Sequence, residues 1–194
     1  MNGLRPGLWR WTARHPEWEA DAEPESPADW PPDVGCVAYA ADHVLVLIDP
    51  LVLDGWDELD PLADRHARVA VLQTLRWHGR SVREAVARYD ASTEPPAGVE
   101  PVEIANADET MFWLAAPRAL VPGDRLIGDG AGGVRPCPDS WLGYIRRQGG
   151  EIDGLALREA LRPLLDLPIE LLLVSHGEPI LSDGREALER ALEV

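Results

Sequence analysis

The sequence predicts an α/β (α+β) fold in which two stacked mixed sheets carry helices on their outer faces. Short valine- and leucine-rich runs alternate with segments of helical apolar spacing, in the order strand meander, strand to helix, strand meander, helices, strand to helix. The 194 residues are 45% hydrophobic and 27% charged, a composition able to bury a sizeable core. That length falls within the usual range of roughly 100–200 residues for one unit, so residues 1–194 are expected to form a single domain.

From Met1 to Trp11 the chain carries arginines and tryptophans but no apolar run of signal-peptide length. The longest apolar run elsewhere is strand-sized, so a soluble cytoplasmic protein is expected. His15 to Asp33 (HPEWEADAEPESPADWPPD) is rich in proline and acid, lacks apolar periodicity, and reads as an arm or long loop. Val34–Ala40 and Val44–Ile48 read as a hairpin turning at Ala41-Asp42-His43. Asp49-Pro50 ends its second strand, because proline has no N–H for a ladder. Trp56–Arg65 reads as a short helix and Val69–Leu72 as a strand covered on both faces. Ser81 and Glu84 form a capping box that opens a helix from Val82 to about Tyr89. Met111–Leu114, Ala119–Val121 and Arg125–Ile127 read as a second meander, broken by Pro117, Pro122 and Gly123. Asp139 is placed to cap a helix holding Trp141–Arg147, and Leu155–Leu165 has amphipathic helical spacing. Ile169–Val174 reads as a strand, and Asp183 with Glu186 as a second box opening the last helix.

Acidic residues outnumber basic ones by 34 to 18, and the net charge of −16 repels phosphate backbones and anionic surfaces. Neither nucleic acid nor membrane is an expected partner; a small molecule and a second copy of the chain are the partners to consider. All 18 basic residues are arginine, which excludes a Walker lysine or a lysine Schiff base. Cys36 and Cys137 are far apart with no C-x-x-C pair, so buried thiols are expected rather than a disulfide or a cysteine zinc site. Gly128–Gly133 lacks both a lysine and the G-x-G-x-x-G spacing, and reads as a loop rather than a phosphate cradle.

Ligands of layered α/β folds bind beyond the carboxyl ends of strands. Four places qualify: Asp49, the stretch Thr74–Ser81, Gly123-Asp124, and Ser175-His176-Gly177. In their order and approximate spacing, LIDP (Leu47–Pro50), VLQT (Val71–Thr74), RALVPGDRL (Arg118–Leu126) and VSHGEP (Val174–Pro179) resemble the metallo-β-lactamase fold superfamily across about residues 34–194. The resemblance implies a four-layer αββα sandwich and metal-dependent hydrolysis, with histidines and aspartates holding two zinc or iron ions. It matches Asp124 to the family's bridging aspartate and His176 to its terminal histidine. It equates Asp49 with an aspartate that is structural.

The metal motif itself departs from that pattern. The positions the family fills with His, His, Asp and His are Leu75, Trp77, Gly79 and Arg80, and the segment Pro101–Leu114 lacks the midway histidine, although Glu103, Asp108 and Glu109 are present. His78 falls between ligand positions, where its side chain is expected to point elsewhere, and Arg80 is expected to pair with Asp124. Asp124 and His176 are the candidate catalytic residues; Arg80, Trp77, Thr74 and Asp49 are the candidate pocket. His15, Trp9, Trp11 and Trp18 are further candidates for the pocket wall, and eight tryptophans against one phenylalanine leave some for a stacking surface. His43 and His66 receive no role. The first expectation is an eroded two-metal site without a cofactor, in a pseudoenzyme that binds a ligand or partner. The second is a hydrolase of esters, lactones or thioesters using one zinc, iron or manganese ion on His78, Asp124 and His176. The third is an interaction module acting through the acidic arm at 15–33 or a dimer interface.

Overall fold

The computed structural model describes residues 1–193. Strands β1 (Asn2–Arg5) and β2 (Leu8–Arg14) form an amino-terminal hairpin. β2 pairs antiparallel with β3 (Asp33–Ala41), β3 with β4 (Val44–Ile48), and β4 runs parallel to β5 (Arg68–Leu72). The first sheet therefore has the order β1-β2-β3-β4-β5. The expected hairpin is present, whereas β1 and β2, rich in arginine and tryptophan, carried no valine-rich signal. Helix α1 covers only Asp60–Ala63, because Trp56 O accepts from both Leu59 N and Asp60 N and turns the chain before the helix begins. Helix α2 (Val82–Tyr89) matches the expected span.

Strands β6 (Val99–Ile104), β7 (Glu109–Leu114) and β8 (Ala119–Val121) make the second meander. Strands β9 (Leu126–Gly128) and β10 (Val134–Pro136) form a separate ribbon. Its glycine-rich turn is pinned by Asp129 Oδ1, which accepts from Ala131 N and Gly133 N. Helices α3 (Gly143–Arg147) and α4 (Gly154–Leu161) precede strand β11 (Leu171–Leu172), which lies parallel to β8, and helix α5 (Gly184–Leu192) ends the described chain. The second sheet has the order β11-β8-β7-β6.

Side-chain alternation assigns the layers. In β4, Leu45 and Leu47 face Leu62 and Ala63 of α1 and Ala85 of α2, while Val46 and Ile48 face Phe112, Leu114, Val121 and Leu171 of the other sheet. On that sheet's far side, Met111, Trp113, Leu120 and Leu172 pack with Leu157, Leu161 and Leu188 of the carboxyl-terminal helices. Helices, sheet, sheet and helices thus stack in the αββα order, and a strand buried on both faces must be apolar at every position.

Three expected caps are absent. The Ser81 hydroxyl accepts from Val52 N at 3.0 Å, so it ties a loop and leaves the helix uncapped. Asp139 accepts from Arg146 Nη1 in the last turn of that helix at 3.0 Å and from Gly154 N at 3.1 Å rather than from the helix's first amides, while Asp153 caps α4 by accepting from Ala156 N. Asp183 stands before α5 in the left-handed region, with φ 55°, and its side chain makes no cap bond. A tertiary partner outcompetes the local cap in the first two cases.

The two sheets meet at β3 and the segment after β11. Gly35 N donates to Ser175 O at 2.7 Å, and Val34 bridges His176. A Cβ on Gly35 would stand 2.7 Å from Val174 O and 2.6 Å from Arg10 Nη2, so only glycine allows this approach. Gly35→Ala is expected to lower stability by about 1–3 kcal/mol through forced backbone separation, measurable by urea denaturation; a change below about 0.5 kcal/mol would contradict the close packing assigned here.

Candidate metal centre

Parallel pairing of β4 with β5, and of β8 with β11, brings four carboxyl ends to one edge of the sandwich. Asp49 follows β4, Thr74 follows β5, Asp124 follows β8 and His176 follows β11. Asp124 and His176 face a hollow at that edge, and hydrogen bonds join Asp49 to His176 through His78 and Asp124.

Asp49, buried, accepts from Thr74 N at 2.9 Å through Oδ1, and from Thr74 Oγ1 at 2.5 Å through Oδ2. The same Oδ2 lies 2.7 Å from His78 Nδ1. On the other side of the ring, His78 Nε2 lies 3.0 Å from Asp124 Oδ1, and His176 Nε2 reaches that same oxygen at 3.1 Å. His176 Nδ1 is buried without a partner. His78 Nε2, Asp124 Oδ1 and His176 Nε2 belong to a set of ligand atoms lying within 4.8 Å of one another, the one such cluster among the described residues.

The expected orientation of His78 is therefore corrected. Alternation of side chains holds within a strand, but residues 75–81 are a series of turns, in which His78 N donates to Leu75 O at 3.0 Å. The turn swings the ring back between two carboxylates. Arg80 also departs from expectation, since no ion pair links it to Asp124 among the described residues. Its Nη1 donates to Gly35 O and Asp49 O, both at 3.1 Å, and its Nη2 donates to Ser175 Oγ at 2.7 Å. The guanidinium thus clasps β3, the end of β4 and the segment after β11.

The electrostatics follow from burial and pairing. Burial opposes charge on His78, but Asp124 and Asp49 on either side outweigh it and raise its pKa to about 9. Burial would likewise raise Asp124, yet His78 and His176 hold it well below the ordinary carboxylate range. Asp49 is held down in the same way, chiefly by His78. His176 is lowered, chiefly by burial, so its ring is neutral and donates from Nε2 to Asp124.

Two buried residues to which the sequence assigned no role, Glu109 and Arg125, support this set. Glu109 accepts from three consecutive amides, Gly123 N at 3.0 Å, Asp124 N at 2.8 Å and Arg125 N at 2.9 Å, and so fixes the loop that presents Asp124. Burial moves Glu109 up to about 7, against the pull of Arg125. Arg125 donates from Nε to Ala107 O at 2.8 Å and from Nη2 to Tyr144 OH at 2.5 Å. The available signal was an acid opening the otherwise apolar run ETMFWL (Glu109–Leu114), where one strand face cannot leave it solvated. By contrast, Glu103 bonds Thr110 and Asp108 pairs with Arg76 away from the centre.

Beside the centre lies a cavity of about 300 Å³, into which Trp77, Arg80, Asp124 and His176 project. Thr74 and Asp49 stand behind His78 and form no part of its wall. Of the amino-terminal candidates, His15 lines it, whereas Trp9 and Trp11 pack under the first sheet and Trp18 lies alongside. The acidic segment 15–33 is folded across this opening rather than extended. Trp18 Nε1 donates to Trp30 O at 2.9 Å, Trp141 Nε1 donates to Ser26 O at 3.1 Å, and Ser140 Oγ bonds Glu25 O. Cys36 and Cys137 are buried free thiols, pushed up by burial to about 11 and about 12. No helix among the described residues is long and apolar enough to cross a membrane.

No family model and no curated relative matches this chain by sequence. Solved structures do match it by shape. An archaeal metallo-β-lactamase superfamily protein from Sulfolobus tokodaii superposes with a TM-score of 0.60, at 15% identity over 96% of this chain and 85% of its own. The metallo-β-lactamase FIM-1 from Pseudomonas aeruginosa, in its mono-zinc form, gives 0.56 at 9% identity, covering 98% and 93%. A metallo-β-lactamase from Hirschia baltica gives 0.53 at 15% identity, covering 98% and 94%. The chain has the metallo-β-lactamase fold, as its strand-end motifs implied.

The raised His78 predicts a defined pH dependence for the metal-free protein. A folded pKa of about 9, above the ordinary value near 6.5, gives stability that is full below the lower value and lost as pH rises through the higher. NMR titration of the His78 ring is expected near that higher value, and in Asp124→Asn it should fall. A His78 ring titrating at or below about 6.5 would contradict the sandwiched cation.

Proposed function

We propose that this protein is a mononuclear metal-dependent hydrolase of carboxylic esters, lactones or thioesters, with His78, Asp124 and His176 holding the ion. The observation that carries this reading is the donor set itself. Two imidazole nitrogens and one carboxylate oxygen, already linked through shared protons, are the three protein ligands typical of a catalytic site with one open position. Asp49 supports it as well: its Oδ2 engages His78 Nδ1, so Nε2 is free to coordinate once deprotonated, and the ring cannot turn away. Two nitrogens and an oxygen suit zinc, iron or manganese.

When bound, the ion supplies a Lewis acid and a coordinated water whose pKa falls from 15.7 to about 7. Asp124 would serve such an ion as its charged oxygen donor, since His78 and His176 hold its carboxylate well below the ordinary range. Glu109 keeps Asp124 in place through the Gly123–Arg125 amides. Arg80 is clasped to carbonyl and hydroxyl oxygens, which holds its fixed charge off Asp124.

A second reading, a metal-free pseudoenzyme that binds a ligand or partner in the old cleft, is favoured by one observation. Asp49, His78, Asp124 and His176 form a continuous hydrogen-bonded row with a proton in the place of an ion. Metal content separates the two. Protein purified without chelator and supplied with zinc, manganese or iron is expected to retain about one ion per chain, and Asp124→Asn and His176→Ala are each expected to abolish retention together with esterase, lactonase or thioesterase activity. Retention below about 0.2 ion per chain in the unsubstituted protein would establish the pseudoenzyme instead.

A further inference from the structure

We propose that the cavity beside the centre selects a compact, ring-bearing acyl group, which makes aryl and arylalkyl carboxylic esters or thioesters the substrate class. As a statement about substrate, the inference rests on the hydrolase reading above and adds to it.

Size comes first. A volume of about 300 Å³ lies at the lower limit of small-molecule sites and has room for a ring with a short acyl stem. The segment 15–33 imposes this limit by closing over the opening, with Trp30 as its inward anchor.

Wall chemistry comes second. Trp30 and Trp141 approach the His176 ring from two segments, with centroids at 5.5 Å and 5.4 Å and interplanar angles of 65° and 78°. At the mouth, Trp77 meets Tyr144 edge-on at 4.2 Å, yet 44% of Trp77 remains exposed. Four aromatic side chains thus border one small space, and an inserted ring can meet them edge-to-face or offset, the arrangements that ring quadrupoles favour. An aliphatic chain of equal area gains burial alone.

A polar end comes third. Arg80 lines the same cavity, and its Nε is buried without a partner while both terminal nitrogens are engaged elsewhere. The fixed positive charge of that guanidinium at the wall favours an acyl or carboxylate oxygen in the cavity. Hydrolysis adds water across the acyl C–O or C–S bond: the acyl carbon gains the hydroxyl oxygen, the leaving oxygen or sulfur takes the proton, and no electrons are transferred. The product is a ring-bearing carboxylic acid, so the free acid probes the cavity directly.

The experiment uses the full chain stripped of metal, with binding read by tryptophan fluorescence and calorimetry for phenylacetate, octanoate and acetate. Phenylacetate is expected to bind saturably and at least about tenfold more tightly than either other acid. Trp30→Ala should erase that preference, and where its circular dichroism shows misfolding, the half-exposed Trp77→Ala serves in its place. Absence of saturable phenylacetate binding, octanoate binding as tightly, or a preference untouched by the substitution would each overturn the proposal. Because the titration contains no metal, it fails independently of the hydrolase reading. A chain that retains metal but ignores phenylacetate loses only this substrate class, whereas one that takes phenylacetate but no metal keeps the ring-selective cavity and loses the hydrolytic step.

Discussion

One carboxylate oxygen, Asp124 Oδ1, receives both His78 Nε2 and His176 Nε2, and much of the surrounding structure serves to keep it there. A buried carboxylate requires compensation, and two imidazoles supply it at one oxygen. Each imidazole then has its own constraint. His78 is trapped by Asp49, which is itself pinned by Thr74, while His176 is packed between the rings of Trp30 and Trp141. The arrangement is a row of alternating acids and bases crossing from the first sheet to the second.

The layers explain why such a row can exist. Parallel pairing in each sheet delivers the relevant strand ends to one edge, and Gly35 lets β3 approach the segment that carries His176. Across that join, Arg80 ties three backbone and side-chain oxygens, and Glu109 gathers three amides of the Asp124 loop. Both residues fix the segments that carry the centre, which is what a preorganised arrangement requires. At Leu75, Trp77 and Arg80, where the resemblance implied histidines, the side chains do other work: Leu75 is buried, Trp77 stands at the cavity mouth, and Arg80 is the clasp.

Much of the fold was legible because both sheets contain strands buried on two faces. Runs such as Val44–Ile48 and Val69–Leu72 have no other economical reading, and the motifs at their carboxyl ends gave the topology. The hairpin of β1 and β2 was not legible, since Leu8–Arg14 alternates arginine and tryptophan rather than aliphatic residues. Asp124 and His176 follow β8 and β11, the strand ends to which the motifs pointed. The geometry of His78 was not, because a turn rather than a strand carries it, and sequence spacing alone does not fix the direction of a side chain in a turn. The segment 15–33 was legible as a loop, but its course across the cavity was not. Its proline and acid content lacks periodicity, yet single tryptophans at 18 and 30, with Trp141 opposite, suffice to fold it across the cavity.

Anomalous diffraction at the absorption edge of the supplied metal tests the central claim most directly. The account predicts one peak, located among His78 Nε2, the Asp124 carboxylate and His176 Nε2. Two bridged peaks in that hollow, or a lone peak bound away from these three side chains, would contradict it.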